Sequence, residues 1–464
     1  MEHDLKYFFD PKGIAIVGAT PQANKGGNNL LKNISLGYKG AIYPINPKYK
    51  EIMGIKTYPT VSAIDGAVDL ALIFVSAAQT PGVLRECVSK GVKGAILENS
   101  GFAEVGPEGE TLQNECIAIA RKGRLRLWGP NCMGLIDTGK GYVFSFMHPS
   151  LRNGVLKKGA ISLIVQSGLL SAGFLLTIMS YKTVGMAKVC SIGNKCDITE
   201  IDILEFLLDD PDTKVIALYL ESLSNGRRFF ELAKSSHKPF ILLKGGKSAA
   251  GAQASLSHTA SLAGNYQIIS GAIKQAGVLE ADDFFEMMDI ARALEKGFEQ
   301  RKNASRAGRV AILTYSGASG IVTTDLLEKS GLDLAELSPA TIKRLERLSP
   351  AWMPVKNPVD YWPAMEKNSP MVAMKEGLSA LYADPNVDGV IINLFAGEGL
   401  WGFDLLELMD VIKDRKKPIL SWVIGLKDTV EHAKIRMEKC GWPVFEEIHR
   451  LVTVMSMLLQ KRRS

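Results

Sequence analysis

The stretch SLSHTASLAG, residues 255–264, places one of the six histidines of this chain among small side chains. A neutral imidazole nitrogen is a nucleophile that can take up a phosphoryl group. A loop without bulky side chains would let His258 collect the group at one place and deliver it at another. The segment offers His258 no acidic neighbour and no second metal ligand. A lone histidine is more often structural, so the loop by itself leaves both interpretations open.

A carboxylate elsewhere in the chain could orient this histidine. The apolar run VIALYLES places Glu221 at the carboxyl end of a predicted strand, where the functional side chains of parallel sheets collect. A carboxylate bonded to one ring nitrogen fixes the tautomer and leaves the other nitrogen free to react. The alternative is that Glu221 caps the polar turn SNGRR that follows it.

Two glycine-containing turns could hold the phosphoryl group. VQSGLL and YSGASG each join a predicted strand to a predicted helix, and the free amides of a helix N-terminus bind anions. The stretch LKGGKS suggests a phosphate-binding P-loop, but Ile241 stands where that motif needs glycine. The candidate phosphate-binding residues are therefore Ser167, Gly168, Leu169, Ser316, Gly317 and Ala318.

The turn after the first predicted strand, GIAIVGAT, indicates a nucleotide site, although the full G-x-G-x-x-G fingerprint is absent. The second strand ends in NPKYK, where an NAD site would carry an acidic residue. Lys48 in that stretch and Lys25 in the first turn favour a ligand richer in phosphate, such as CoA or NADP. The alternative is that both are ordinary surface lysines. Cys132, taken alone, is best interpreted as a buried packing residue.

The three turns belong to a recurring pattern. GIAIVGAT, AISLIVQSG and RVAILTYSGASG each precede a helical pattern and are followed by further short Val/Ile/Leu runs. Such runs are typical of central strands in covered parallel sheets, which predicts an α/β fold class. We place domain boundaries near residues 150 and 305, the second in the polar stretch 299–309.

Composition excludes several other classes. The net charge of +6 is modest for 464 residues, and the basic run 461–463 is short and typical of a solvated tail. We therefore expect no nucleic-acid partner. No apolar run reaches the length of a membrane span. The six cysteines are scattered, which favours a reducing cytoplasm over a disulfide scaffold. The histidines also stand apart, so no metal site is predicted.

Taken in order, the motifs resemble a known family. IVGAT, NPK, SGFAE and GPNCMG, then QSG and SHTASLAG, then NPVD, resemble the α subunit of ADP-forming acyl-CoA synthetases in the succinyl-CoA synthetase superfamily. The resemblance covers nearly the whole chain. It implies a Rossmann-like CoA-binding domain over 1–150, a flavodoxin-like ligase domain with the phosphohistidine loop over 151–304, and a second flavodoxin-like ligase domain over 305–464.

The resemblance also implies a reaction, in which acid, CoA and ATP give acyl-CoA, ADP and phosphate reversibly. His258 would be the phosphorylated histidine and Glu221 its partner, with the phosphate held by the helices after Gly168 and Gly317. An acyl phosphate would form next and be attacked by the CoA thiol. The implied CoA contacts lie at strand ends of the first domain: Gly18, Ala19, Thr20, Lys25, Asn46, Pro47, Lys48, Val75, Ser76, Asn131 and Cys132.

ATP and Mg²⁺ are expected on a partner. Neither a Walker A motif nor an ATP-grasp region is recognisable here, so the resemblance implies a separate ATP-grasp β subunit in an α2β2 assembly. The second substrate would be a small carboxylic acid. Many relatives read SHTGALAGSD and TNAGGPG where this chain has SHTASLAGNY and TYSGASG, and bulky Tyr361 and Trp362 follow NPVD. The identity of the acyl group cannot be inferred from these sequence differences.

Two other functions are alternatives to a catalytic synthetase subunit. A non-catalytic CoA-binding regulatory module would be expected to lose the histidine, whereas His258 is present. An NADP-dependent oxidoreductase would fit the first domain, but it leaves SHTASLAG and the third domain unexplained.

Overall fold

The computed structural model describes residues 5–23, 25–152, 156–180, 183–251, 253, 265–298, 308–396, 408, 410–411 and 415–459. They form two compact units, 1–287 and 288–464. His258 lies outside the described residues. In the described part of the chain, no helix is both long and apolar enough to cross a membrane.

The first unit opens with a five-stranded parallel sheet in the order β2–β1–β5–β6–β7. The strands of this region, including a separate β3–β4 hairpin, are β1 Gly13–Val17, β2 Ala41–Ile45, β3 Glu51–Ile52, β4 Ile55–Lys56, β5 Leu70–Ile73, β6 Gly94–Leu97 and β7 Arg126–Trp128. Its helices are Lys6–Phe9, Gly26–Gly37, Thr80–Lys90 and Pro107–Gly123. The order changes direction at β1, and ligands of such sheets bind beside that point at the carboxyl ends of the strands.

A seven-stranded sheet follows in the order β14–β13–β12–β10–β11–β8–β9. Its strands are β8 Leu135–Asp137, β9 Tyr142–Phe144, β10 Lys158–Val165, β11 Met186–Ser191, β12 Val215–Leu220, β13 Phe240–Lys244 and β14 Leu279–Ala281. The pairings β11–β8 and β8–β9 are antiparallel and the others are parallel. The hydrogen bonds of this sheet therefore extend across residue 150. The helices of this region are Gly168–Ser180, Glu200–Asp209, Gly226–Ser235 and Tyr266–Gln275, and the helix Phe284–Glu295 continues the chain into the second unit.

The two sheets of the first unit share one apolar core. Phe8 packs against Trp128 with ring centroids 5.5 Å apart, and Phe9 stacks on Phe206 of the second sheet's helix Glu200–Asp209 at 4.0 Å. The Trp128 ring nitrogen donates to the backbone oxygen of Ser191 on β11 at 2.6 Å. Burial of these aromatic side chains removes large apolar areas from water, which holds both sheets in one compact unit.

The second unit contains a six-stranded parallel sheet in the order β16–β15–β18–β19–β20, with β17 also paired to β15. The strands are β15 Arg309–Thr314, β16 Asp333–Leu334, β17 Val359–Asp360, β18 Gly389–Ala396, β19 Ile419–Gly425 and β20 Val444–Phe445. The helices are Gly317–Lys329, Pro339–Glu346, Trp362–Lys367, Pro370–Ala383, Lys427–Lys439 and Ile448–Leu459. The predicted α/β class with three parallel-sheet regions is confirmed.

Candidate functional site

A cavity of about 980 Å³ opens at the carboxyl edge of the first sheet. It lies where the loops after β5, β6 and β7 meet, beside the N-terminus of helix Gly26–Gly37. Four of the predicted CoA contacts line it, namely Val75, Ser76, Asn131 and Cys132. The other lining residues are Gly26, Asn29, Phe74, Glu98, Asn99, Ser100, Met133, Phe146, Met147, His148 and Leu176.

The turn after β1 requires glycine because helix and strand approach closely there. Gly18 has a φ of +93°, and a Cβ on it would lie 2.2 Å from the backbone oxygen of Phe74. A Cβ on Gly27 would lie 2.0 Å from the backbone oxygen of Gly18. A search for G-x-G-x-x-G misses this arrangement because the close approach is made by Gly26 and Gly27, several residues later. The adjacent glycines in KGG are the sequence signal for it.

Asn46 holds the ends of β1 and β2 together. Its side-chain nitrogen donates to the backbone oxygen of Ala19 at 2.8 Å, and its side-chain oxygen accepts from the backbone nitrogen of Lys48 at 3.0 Å. The backbone oxygen of Thr20 accepts in the same way from Asn28 at 2.9 Å. These bonds fix the predicted phosphate-binding turn, although its residues do not line the cavity itself.

The two lysines that predicted a phosphate-rich ligand are exposed. Lys25 precedes helix Gly26–Gly37, and Lys48 follows Pro47, also exposed, after β2. Neither ammonium forms an ion pair with a carboxylate of the described residues. Both therefore keep their charge available to an anion in solution.

Cys132 is a packing residue in this structure. It is 2% exposed, and its thiol donates to the backbone oxygen of Leu97 at 3.4 Å. Burial raises the pKa of the Cys132 thiol, and the neighbouring carboxyl of Glu98 raises it further. A thiol in this state is a poor nucleophile. Next to it, Asn131 adopts a φ of +58° and donates its backbone N–H to the backbone oxygen of Asn99 at 3.0 Å.

Two buried side chains at the end of β6, directly before the SGFAE motif, were not predicted as site residues. Glu98 is 4% exposed, and one carboxyl oxygen accepts from the backbone nitrogen of Phe146 at 3.0 Å. Burial raises the pKa of the Glu98 carboxyl well above its ordinary value. Its other oxygen and the side-chain oxygen of Asn99 have no hydrogen-bond partner among the described residues. Since buried polar atoms are nearly always paired, a ligand that carries both hydrogen-bond donors and acceptors fits this cavity.

Glu221 follows β12 and is 4% exposed. The hydroxyl of Tyr219 donates to its carboxylate at 3.3 Å, and the side-chain oxygen of Gln166 accepts from its backbone nitrogen at 2.8 Å. The following helix is capped by Asn225, which accepts from the backbone nitrogen of Arg228 at 3.0 Å. Glu221 is therefore not the cap of that helix. The carboxylate of Glu221 lies at the end of β12, where the sequence predicted it.

The first predicted phosphate turn shares this edge of the sheet. β10 and β12 are neighbours, with Val165 opposite Tyr219, so Ser167 and the start of helix Gly168–Ser180 come from the strand beside that of Glu221. Leu169 lies in the first turn of the helix. The placement is consistent with backbone amides directed at the end of the sheet, and phosphate binding there stays a prediction.

The second predicted phosphate turn belongs to the other compact unit. Ser316 precedes helix Gly317–Lys329, and Ala318 lies in its first turn. A smaller cavity of about 420 Å³ beside this helix is lined in part by Thr314, Gly317 and Asp360. A Cβ on Gly317 would lie 3.7 Å from a carboxyl oxygen of Asp360, so the NPVD motif brings an acidic group to this helix N-terminus.

Two family models match successive regions of the chain. A family described as a CoA binding domain matches residues 12–138, and one described as a succinyl-CoA ligase like flavodoxin domain matches residues 158–294. The chain is 36% identical to the subunit alpha of an acetate–CoA ligase (ADP-forming) II of Pyrococcus furiosus, with 99% of this chain and 98% of the relative covered. It is 34% identical to the corresponding ligase II of Archaeoglobus fulgidus, with 99% of this chain and 68% of the relative covered.

A solved structure gives the same result. The chain superposes on the dinucleotide forming acetyl-coenzyme A synthetase 1 of Ca. Korarchaeum cryptofilum in complex with phosphate and ADP with a TM-score of 0.84. The two are 31% identical, and the alignment covers 98% of this chain and 96% of that chain.

Proposed function

Because the chain belongs to the family of ADP-forming acyl-CoA synthetases, we propose that it performs the CoA and phosphohistidine steps by which acid, CoA and ATP become acyl-CoA, ADP and phosphate. The observation that carries the proposal is the cavity at the edge of the first sheet. Its unpaired buried side-chain atoms on Glu98 and Asn99 match the amide groups of a pantetheine arm, which offer both hydrogen-bond donors and acceptors.

In the proposed binding mode, the CoA phosphates lie outside the cavity mouth and the pantetheine arm enters it. Lys25 and Lys48 are exposed cations close to the first turn, and an anion there is also favoured by the amides of helix Gly26–Gly37. The arm would pass the residues that line the cavity at the ends of β5 and β7, namely Val75, Ser76, Asn131 and Cys132.

The phosphoryl group would travel on His258. The carboxylate of Glu221 would orient the imidazole, and the helix N-terminus at Gly168, which follows the neighbouring strand, would stabilise the phosphoryl oxygens. Transfer to the substrate carboxylate forms an acyl phosphate. The CoA sulfur then bonds to the acyl carbon, the carbon–oxygen bond to phosphate breaks, and the thiol proton is lost.

The nucleotide step belongs, in this proposal, to a separate ATP-grasp β subunit that binds ATP and Mg²⁺ in an α2β2 assembly. The Pyrococcus furiosus relative named subunit alpha matches this chain over 98% of its own length, which supports a division between subunits. The six cysteines are free, and four are buried, which supports a reducing compartment such as the cytoplasm. Neither a regulatory CoA module nor an NADP-dependent oxidoreductase is favoured by the names of the relatives.

The function is tested by assembling the chain with its ATP-grasp partner and supplying ATP, Mg²⁺, CoA and a panel of small carboxylic acids. We expect ADP, phosphate and an acyl-CoA in equal amounts with at least one acid, because each turnover consumes one of each substrate. ADP release and acyl-CoA formation are measured together by chromatography. ADP release without acyl-CoA for every acid would contradict the proposal.

Replacing Lys48 by glutamate is expected to weaken CoA binding by about tenfold at low salt, because an attractive charge near the phosphates becomes repulsive. Binding should also become less dependent on salt, since screening then has less attraction to remove. Calorimetric titration with CoA, dephospho-CoA and NADP measures both effects. Wild-type protein should bind CoA more tightly than NADP.

The matched control is Lys39→Glu. Lys39 is also exposed, but it precedes β2 at the opposite edge of the sheet from Lys48. An equal loss of CoA affinity in both variants would mean that only net charge matters. If dephospho-CoA bound as tightly as CoA, the lysines would not contact the 3′-phosphate.

A further inference from the structure

A buried lysine stands beside Glu221 without a role in the steps above. Lys244 is the last residue of β13, lies opposite Leu220 of β12, and is 2% exposed. Its ammonium donates to the backbone oxygen of Glu221 at 2.6 Å and to that of Gly245. Among the described residues, no carboxylate oxygen lies within ion-pair distance of this ammonium.

The positive charges of two neighbouring lysines, unlike that of Lys244, are compensated by carboxylates of the described residues. Lys195 pairs with the buried carboxylate of Glu200 at 3.0 Å, and Lys247 pairs with Asp282 at 2.8 Å. Burial lowers the pKa of Lys244, the charges of Lys195 and Lys247 lower it further, and the charge of Glu221 opposes the change. An ammonium has three donors, and two of those of Lys244 are placed on the two backbone oxygens. The third has no described acceptor.

A buried cation is costly unless an anion or several hydrogen bonds compensate it. The proposed function supplies an anion at this place, since a phosphohistidine oriented by Glu221 would bring its phosphoryl charge next to a carboxylate. Two like charges so close repel each other strongly where water is excluded. A cation on the adjacent strand end would offset this repulsion.

We propose that Lys244 is a positioning residue for phosphoryl transfer: it fixes the main chain of Glu221, and its ammonium offsets the negative charge that a phosphohistidine brings to that carboxylate. The inference rests on the proposed function, because it assumes that His258 is phosphorylated and docks at Glu221. In this inference, the ammonium of Lys244 stabilises the phosphorylated form of the chain more than the unphosphorylated form.

The opposite end of the same strand provides a matched control. Lys238 precedes β13, and its ammonium also donates to two backbone oxygens, those of Leu207 at 2.8 Å and Asp210 at 2.7 Å. Burial lowers the pKa of Lys238 as it does that of Lys244. Lys238→Met therefore removes an ammonium that donates to two backbone oxygens, as Lys244→Met does, but at a position that does not contact Glu221.

The experiment uses the chain with its ATP-grasp partner and ATP labelled at the γ-phosphate. It measures the fraction of the chain that carries acid-labile, base-stable phosphate at a fixed ratio of ATP to ADP. Lys244→Met should lower this fraction by at least about tenfold, since one charge interaction in a water-poor site is worth that much. Lys244→Arg, which keeps the charge but changes the donor geometry, should restore phosphorylation well above the level of Lys244→Met. Lys238→Met should match wild type.

Circular dichroism and calorimetric CoA titration show whether each variant folds and keeps the first sheet intact. If Lys244→Met does not fold, Lys244→Gln replaces it, because the amide keeps a donor but carries no charge. Wild-type phosphorylation in a folded Lys244→Met or Lys244→Gln would overturn the inference, as would an equal loss in Lys238→Met. Absence of phosphate on His258 in the wild-type complex would instead overturn the proposed function.

Discussion

Replacing His258 by alanine or asparagine is expected to abolish phosphorylation of the chain and, with it, formation of acyl-CoA. In the proposed function, the imidazole nitrogen is the atom that accepts the phosphoryl group, and no other residue of SLSHTASLAG carries a side-chain nitrogen. Asparagine keeps a polar side chain of similar size but has no nucleophilic nitrogen. The loss should therefore be complete in both variants and not a partial effect of loop packing.

The measurement is labelling by ATP carrying a radioactive γ-phosphate in the presence of the ATP-grasp partner. Phosphohistidine is lost in acid and stable in base, which separates it from phosphate esters. His237→Ala serves as the control, because His237 is exposed in the turn before β13 and no step of the proposal uses it. Label that persists in His258→Asn would assign the phosphoryl group to another residue.

The chain without its partner is expected to release no ADP from ATP, with or without CoA and acid. The sequence assigns CoA to the first domain and the phosphohistidine loop to the second, and its only P-loop-like stretch has Ile241 in a required glycine position. Phosphoryl transfer depends on residues and Mg²⁺ that cradle the nucleotide, so turnover should rise by more than about a hundredfold when the partner is added.

This prediction is tested by assaying ADP release from the purified chain with ATP, Mg²⁺, CoA and the acid panel, before and after addition of the partner. CoA binding by the chain alone should be normal, because the cavity is formed within residues 26–176. Robust turnover by the chain alone would refute the division between subunits and would locate an ATP site within these 464 residues.

The strand–turn–helix pattern was predictable because it depends on local signals. Val/Ile/Leu runs that end in glycine mark buried parallel strands, and the structure has β1, β10 and β15 at the three predicted positions. The position of Glu221 at the end of β12 follows from the same periodicity. The predicted family is confirmed by relatives that match over nearly the whole chain.

The lining of the cavity was only partly predictable. Val75, Ser76, Asn131 and Cys132 were placed correctly at strand ends that meet in space, but Glu98 and Asn99 were not singled out. An acidic residue after an apolar run is usually solvated, and nothing local indicates that Glu98 is buried with an unpaired oxygen. That state arises because segments distant in the chain lie against the carboxyl: a Cβ on Gly134 would lie 2.7 Å from one of its oxygens, and the backbone nitrogen of Phe146 donates to the other.

The sequence by itself determined the α/β class, the family, the strand ends that carry Lys48 and Glu221, and the candidate phosphohistidine, because periodicity and glycine turns act over a few residues. Only the tertiary structure decided which polar atoms remain unpaired and which charges are buried, because burial depends on contacts between residues far apart in the chain. Lys244 illustrates the difference: in the sequence it belongs to a failed P-loop motif, and in the fold it is a buried cation on the backbone of Glu221.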